Sequence, residues 1–226
     1  MNVKIITLIV LFSTLISGCS GTYHAYYQTL KIALSEQDDA KLTLIEVQQS
    51  EVDVMLVKRG ERPAAVMALA YLENNQHKWV SSDNTMLVMD KGRIKRTIGL
   101  DKNLLHLSNT DFDPLKFLPK HASDKSQTWL RSIDLTGDEY GYPIESKFSQ
   151  ASPDTIQALS LDIDAMLYVE TLHYKAPANY LRVNKSWENH FWYAKNGDLI
   201  KSIQKLSPLS ESLEITYLSR IARLSQ

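Results

Sequence analysis

Hydrophobic positions along this chain change their period once. Tyr23, Tyr26, Tyr27, Leu30 and Leu34 recur every three to four residues, the spacing of one helical face, and predict a short amphipathic helix over 23–35. From Val52 onward the pattern shifts to short β-type runs: Val52–Arg59, Ala64–Glu73, His77–Ser81, Met86–Asp90 and Arg93–Ile98. Turn chemistry separates them, at Arg59-Gly60-Glu61-Arg62-Pro63, Glu73-Asn74-Asn75-Gln76 and Asp90-Lys91-Gly92. Runs this close, with no helix between them, predict an antiparallel meander. Ala64–Leu72 is apolar on both alternating faces and is expected to be a central strand covered on both sides.

Asp101–Ser126, with Pro114 and Pro119, reads as a long connection holding one helical turn, and as the boundary between two candidate halves at about 22–118 and 125–226. Beyond it come Thr128–Leu135, a solvent-facing loop at Thr136–Pro143, and Glu145–Gln150. Ser160–Lys175 is the longest strand run. Leu161, Ile163, Ala165, Leu167 and Val169 fall on its core face, and Ser160, Asp162, Asp164, Tyr168 and Glu170 on its wet face. Trp187–Ala194 and Leu199–Leu206 flank Asn196-Gly197, the sequence of a two-residue hairpin turn. Leu213–Ile221 is expected to close the sheet. The expected fold is mainly β: an antiparallel meander forming a sandwich or a partly open barrel, with a short N-terminal helix, in one β-rich domain over 19–226.

The N-terminus changes where this domain is placed. Lys4, the 12-residue apolar run Ile5–Ile16 and the small residues before Cys19 have the three-part form of a secretory signal peptide over 1–18. The run is shorter than the roughly 20 residues that span a bilayer. Ile16-Ser17-Gly18-Cys19 resembles a bacterial lipobox, which implies that Cys19 is lipidated and becomes the first residue of the mature chain. Two or three acyl chains, at about 0.8 kcal/mol per buried methylene, hold a soluble domain on a membrane. By the same resemblance, Ser20 in place of Asp implies the outer membrane, with the domain facing the periplasm. Cys19 is the sole cysteine, so disulfides, thiol nucleophiles and thiolate metal sites are not expected elsewhere.

Charge narrows the partners. Lys+Arg 25 against Asp+Glu 26 gives −1, and a pI near 6.6 lacks the basic excess that nucleic-acid binding requires. The eight glycines form no Gly-x-Gly pair, and dinucleotide, phosphate-loop and nucleophile-elbow motifs are absent. The six histidines lie at least 15 positions apart, so no metal-binding seed exists. No cofactor, metal or catalytic residue is expected. Asp162 with Asp164, and Asp111 with Asp113, could serve as a carboxylate pair for glycoside hydrolysis, but they read better as a wet strand face and a turn.

Candidate contacts are therefore aromatic and basic. Trp79 could stack on a sugar ring or pack in the core, and Tyr140 and Tyr142 sit in the solvent-facing loop. If Arg93–Ile98 is a regular strand, Arg93 and Lys95 project to one side and form a strip able to meet an acidic glycan or partner.

Trp79-Val80-Ser81-Ser82-Asp83, Gly92-Arg93-Ile94-Lys95-Arg96-Thr97-Ile98-Gly99-Leu100, Phe191-Trp192-Tyr193, Asn196-Gly197 and Ile200-x-Ser202-x-Gln204 together resemble the group 4 capsule polysaccharide (YjbF/GfcB-like) lipoprotein family. The resemblance implies a non-enzymatic, lipid-anchored accessory of exopolysaccharide or capsule production at the outer membrane. Its implied partners are membrane lipid through Cys19, other secretion proteins, and the polysaccharide itself. Two alternatives stay open: a lipid- or glycan-binding β domain, which an apolar cavity would favour, and a polysaccharide hydrolase, which a cleft with facing carboxylates would favour.

Overall fold

The computed structural model describes residues 38–118, 128–137, 139–175 and 186–225. The signal peptide expected over 1–18, Cys19 and the helix expected over 23–35 lie outside the described residues. Residues 39–226 form one compact unit. The described residues form thirteen strands, β1 (Val54–Arg59), β2 (Ala65–Glu73), β3 (Gln76–Ser81), β4 (Met86–Asp90), β5 (Arg93–Ile98), β6 (Leu104–Leu107), β7 (Trp129–Leu135), β8 (Glu139–Phe148), β9 (Ser152–Ala158), β10 (Leu161–Tyr174), β11 (Ser186–Ala194), β12 (Leu199–Lys205) and β13 (Ser212–Thr216). All pair antiparallel in one sheet of order β5-β4-β3-β2-β1-β13-β12-β11-β10-β8-β7-β6, with β9 on a free flank of β10. The β1–β13 ladder joins the two chain halves into one sheet. The ends nearly meet: Thr97 Oγ1 on β5 accepts from the Leu104 N–H on β6 at 2.8 Å, and the sheet is a nearly closed barrel.

The inner face carries the main core, including Met55, Trp79, Leu87, Ile94, Trp129, Ile144, Leu172, Phe191, Ile215 and Tyr217. Part of the outer face is covered by two helices, α1 (Leu44–Gln48) and α2 (Leu218–Leu224). Thr43 and Glu46 cap α1 reciprocally. Val47 packs with Val54, Leu218 and Ala222, while Ile221 packs with Trp192, Ala194 and Ile200.

Several expectations are corrected by this architecture. The expected last strand stops at Thr216, because Leu218, Ile221 and Ala222 follow the helical three-to-four spacing and bury one face of α2. Ala65–Glu73 lies between β1 and β3 but is not covered on both sides, since Tyr71 and Leu72 are exposed. The 101–126 connection holds strand β6 and two 3-10 turns, Thr110–Phe112 and Pro114–Lys116. The Thr136–Pro143 loop shortens to a turn after Leu135, because β8 starts at Glu139 and pairs Tyr142 with Ile133 and Pro143 with Ser132. Strand β9, which sequence did not suggest, carries Pro153 and pairs only with β10, the edge location that proline tolerates. The β11–β12 hairpin exists, but only Gly197 takes a positive φ, +89°. Gly197 N–H donates to Ala194 O and Ala194 N–H to Asp198 O, so a three-residue loop with a bulge replaces the two-residue turn.

Gly92 is fixed by space as well as by conformation. At φ +90° it forms the β4–β5 turn with Lys91, and a Cβ there would fall 2.2 Å from Leu199 Cδ2.

Candidate functional site

Inside the barrel, four charged side chains meet from four places in the chain. Alternation along β7 turns Trp129, Arg131, Ile133 and Leu135 inward, so Arg131 is delivered to the core face. Glu170 comes from β10, Arg93 from the start of β5, and Asp113 from the turn before Pro114. Arg93 donates Nε and Nη2 to the two Asp113 oxygens at 2.9 and 3.1 Å, and Nη1 to Glu170 Oε2 at 2.6 Å. Arg131 donates to Ser146 Oγ at 2.8 Å and sits 3.2 Å from Glu170 Oε1, an ion pair without hydrogen-bond alignment. Asn189 donates to Glu170 Oε2 at 3.2 Å. The guanidinium of Arg93 lies over Phe191 and Trp129, and that of Arg131 over Trp129 at 4.0 Å.

Burial by itself would push the Glu170 carboxyl up, yet Arg93 and Arg131 outweigh it, with Ser146 adding to them, and bring it down to about 2. For Arg131, burial lowers the guanidinium to about 10 against the pull of Glu170. Burial also acts downward on Arg93, but Asp113 and Glu170 overcome it and raise it. Two arginines and two acidic side chains thus meet in bonded contact, and their formal charges sum to zero, the arrangement in which buried charge is tolerated. A space of about 20 Å³ beside Arg93, Arg131, Asn189 and Gln204 has room for one water.

Gln204 ties this cluster to the rest of the fold. Its Nε2 donates to Gly92 O at 2.8 Å and its Oε1 accepts from Ile94 N–H at 3.3 Å, so β12 grips the backbone on both sides of Arg93. The Gly92-Arg93-Ile94 and Ser202-x-Gln204 segments therefore clasp each other in the interior.

A second arrangement lies at the end of the barrel where the loops after β1, β5, β7 and β12 gather. Arg59 bridges Asp101 and Glu211 there, and Asn103 and Thr136 exchange hydrogen bonds. Ile133, Leu135, Ile144, Tyr142, Tyr174 and Trp187 line a slot of about 30 Å³, with Lys102 and the turn Ser207-Pro208-Leu209 completing its wall. The Tyr142 and Tyr174 rings lie 5.1 Å apart, and Trp187 is fixed by its indole N–H on Lys205 O at 2.9 Å. Ser210 bonds back to Ser207 and holds the turn in shape, leaving Leu209 exposed.

The candidate residues divide sharply. Arg93 is 4% exposed and cannot form a surface strip. Lys95 does not share its face: Val88 pairs with Arg96 and Met89 with Ile94, which leaves Lys95 as the extra residue of a bulge, half-buried and 3.6 Å from Asp90. Trp79 is 2% exposed and packs edge-on against Tyr217, so it offers no face to a sugar. Tyr140 is exposed, and Tyr142 is half-buried in the slot. Glu170, assigned to a wet face, is fully buried, and Asp113 does more than shape a turn. Arg131 was findable, since the Trp129-x-Arg131-x-Ile133 alternation places a charge among core positions.

Of the pairs considered for hydrolysis, Asp111 is exposed while Asp113 is buried on Arg93, and Asp164 lines an open hollow of about 510 Å³ on the β9–β10 flank, opposite Asp154 rather than with Asp162. Asp164 pairs with Lys195 at 2.7 Å, and Asp154 accepts from the Trp192 indole at 2.7 Å. These bonds hold both carboxyls low, whereas a glycosidase acid must be raised.

Fold and site together define a small antiparallel barrel whose polar interior is a structural clasp, with an aromatic slot at one end. The model of the family "Group 4 capsule polysaccharide lipoprotein gfcB, YjbF" matches residues 27–218, and the chain belongs to that family. It is 26% identical over 211 residues to the uncharacterized lipoprotein GfcB of Escherichia coli K12, covering 92% of this chain and 95% of that one. The uncharacterized lipoprotein YjbF of the same organism is 26% identical, covering 88% and 90%. The crystal structure of the hypothetical lipoprotein YmcC from Escherichia coli K12 superposes with a TM-score of 0.68 at 27% identity, over 78% of this chain and 88% of that one.

Proposed function

We propose that this protein is a lipid-anchored, non-enzymatic accessory of capsule or exopolysaccharide production, held through Cys19 on the outer membrane and facing the periplasm. The observation that carries this reading is the family match across 27–218, which places almost the whole domain among group 4 capsule polysaccharide lipoproteins. The lipobox-like Ile16-Ser17-Gly18-Cys19 supplies the anchor. The interior supports an accessory role. Its strongest polar groups neutralise one another, and the two spaces described above, beside that cluster and at the barrel end, are about 20 and 30 Å³, far below the several hundred that an acyl chain or drug-sized ligand fills. What remains for function is surface and the barrel end.

The test is genetic and biochemical together. Deleting the gene in a polymer-producing host should abolish or strongly reduce surface polymer, the intact gene should restore it, and Cys19→Ala should not. Membrane fractionation should find the wild type with the outer membrane and the alanine variant elsewhere. Normal surface polymer in the deletion strain would overturn the reading.

A further inference from the structure

We propose that the open face of the β9–β10 hairpin docks a lysine side chain carried by a segment of a partner protein, with Met166 and Pro153 against its aliphatic stem and Asp164 against its ammonium.

The face exists because β10 outruns β8. Over Leu161–Leu167 it pairs with β9 instead, and the hairpin they form has one packed face and one open face. Ile156, Ala165 and Trp192 bury the first together with Ile200 and Ile221. On the second, Asp162, Asp164 and Met166 follow one another at every second position, and register sets Pro153 beside Met166 and Thr155 beside Asp164. All five are exposed, and the hollow of about 510 Å³ lies here with Lys195 at its wall. That volume is in the range of binding hollows and takes a side chain together with part of the segment that carries it.

Charge selects the occupant. Asp154, Asp162 and Asp164 stand on this hairpin against Lys195, and Lys201, which also acts on Asp154, is held by Glu214 at 2.6 Å. The excess is negative, which repels an acidic polymer and attracts a cation. Lys195 already displays the contact: its Nζ donates to Asp164 Oδ2 at 2.7 Å, while Oδ1 takes no bond from a described residue. With 71% of the Asp164 side chain and 82% of that of Lys195 exposed, the pair contributes little, so a second ammonium joins or displaces Lys195 at small cost. The apolar part selects the stem. Met166 adapts its shape, Pro153 is rigid, and neither offers the aromatic face on which a sugar ring stacks. Strand addition is closed off along the same edge, since Pro153 has no N–H and the Thr155 N–H donates to Asp154 Oδ1 at 2.8 Å. A partner is therefore held through side chains.

The test uses the full-length protein purified in detergent micelles and labelled at methionine methyl groups, so that Met166 reports on the hollow. Capped glycine pentapeptides carrying two lysines, two glutamates or two residues of diaminobutyric acid, a cation on a two-carbon stem, are titrated to about 10 mM, above the millimolar dissociation constant expected for one such contact. The lysine peptide should shift the Met166 methyl, less so at high salt, the glutamate peptide should not, and the short-stemmed cation should bind at least about threefold more weakly. Asp164→Asn should weaken the lysine peptide about tenfold, and Lys195→Ala, which removes the resident competitor, should tighten it several-fold. Opposite responses from the two halves of one ion pair are what a docking site gives and a merely structural pair does not. Glu61→Gln, at an exposed acid in the turn after β1, should change nothing. If Asp164→Asn alters the near-ultraviolet circular dichroism, Asp162→Asn replaces it and should weaken binding about threefold. No Met166 shift with the lysine peptide at about 10 mM, an equal shift with the glutamate peptide, or weaker binding in Lys195→Ala overturns the inference. Tighter binding of glucosamine than of the lysine peptide overturns the assignment to a protein segment. Peptide binding is read on purified protein, so its failure leaves the deletion phenotype standing, and an unaltered deletion phenotype leaves peptide binding standing.

Discussion

Arg93–Glu170 and Lys195–Asp164 are ion pairs of nearly equal length, 2.6 and 2.7 Å, and their acidic partners lie on one strand, β10, six residues apart on the same alternating face. Glu170 has no exposed side-chain surface, whereas 71% of that of Asp164 is exposed. Strand β10 explains the contrast. Its first part, through Leu167, pairs with β9, and that face opens to water; from Glu170 to Tyr174 it pairs with β8, and the same face turns into the barrel. Burial inverts the energetics. An exposed pair gains little because water screens it and side-chain entropy opposes it. A buried pair is not strongly stabilising as a pair, yet removing one partner strands the other charge in a medium that cannot solvate it.

The sharpest way to break the comparison is to remove one cation from each end. Arg93→Met leaves Asp113 and Glu170 buried without their main donor, and should destabilise the fold by about 3–5 kcal/mol in urea unfolding. A loss comparable to that of an ordinary surface substitution would show that water reaches the cluster.

Acid titration gives the next effect. Glu170 is held at about 2 against an ordinary 4.5, so the folded state binds its proton less readily than the unfolded chain does. Its contribution is fully present above pH 4.5 and is lost as pH falls toward 2, a change on the order of 3 kcal/mol. Unfolding free energies measured between pH 5 and 2 should therefore fall more steeply for the wild type than for Glu170→Gln. Parallel slopes would remove Glu170 from the acid response.

The smallest effect belongs to the exposed end. Lys195→Ala should leave the urea midpoint unchanged within error at both low and high salt, since both partners stand in solvent. A clear loss would mean that the β9–β10 flank is more enclosed than its exposure indicates.

Local pattern determined much of this protein. Strands β1 through β5, β7 and the β11–β12 hairpin follow from alternation and turn residues, because side-chain period and positive-φ turns are properties of a few neighbouring residues. The mainly β fold and its kinship with capsule lipoproteins were likewise legible. Tertiary structure alone decided which side of a strand is inside. Glu170 and Asp164 share a face in sequence, and only the arrival of β8 along half of β10 separates them. Arg93 and Lys95 share a parity, and only a bulge against β4 separates those. Asp113 reads as a turn residue until Arg93, 20 positions away, reaches it, and Gln204 meets Gly92 across 112 positions. Burial is set by what the rest of the chain places above a residue, and periodicity carries no record of that.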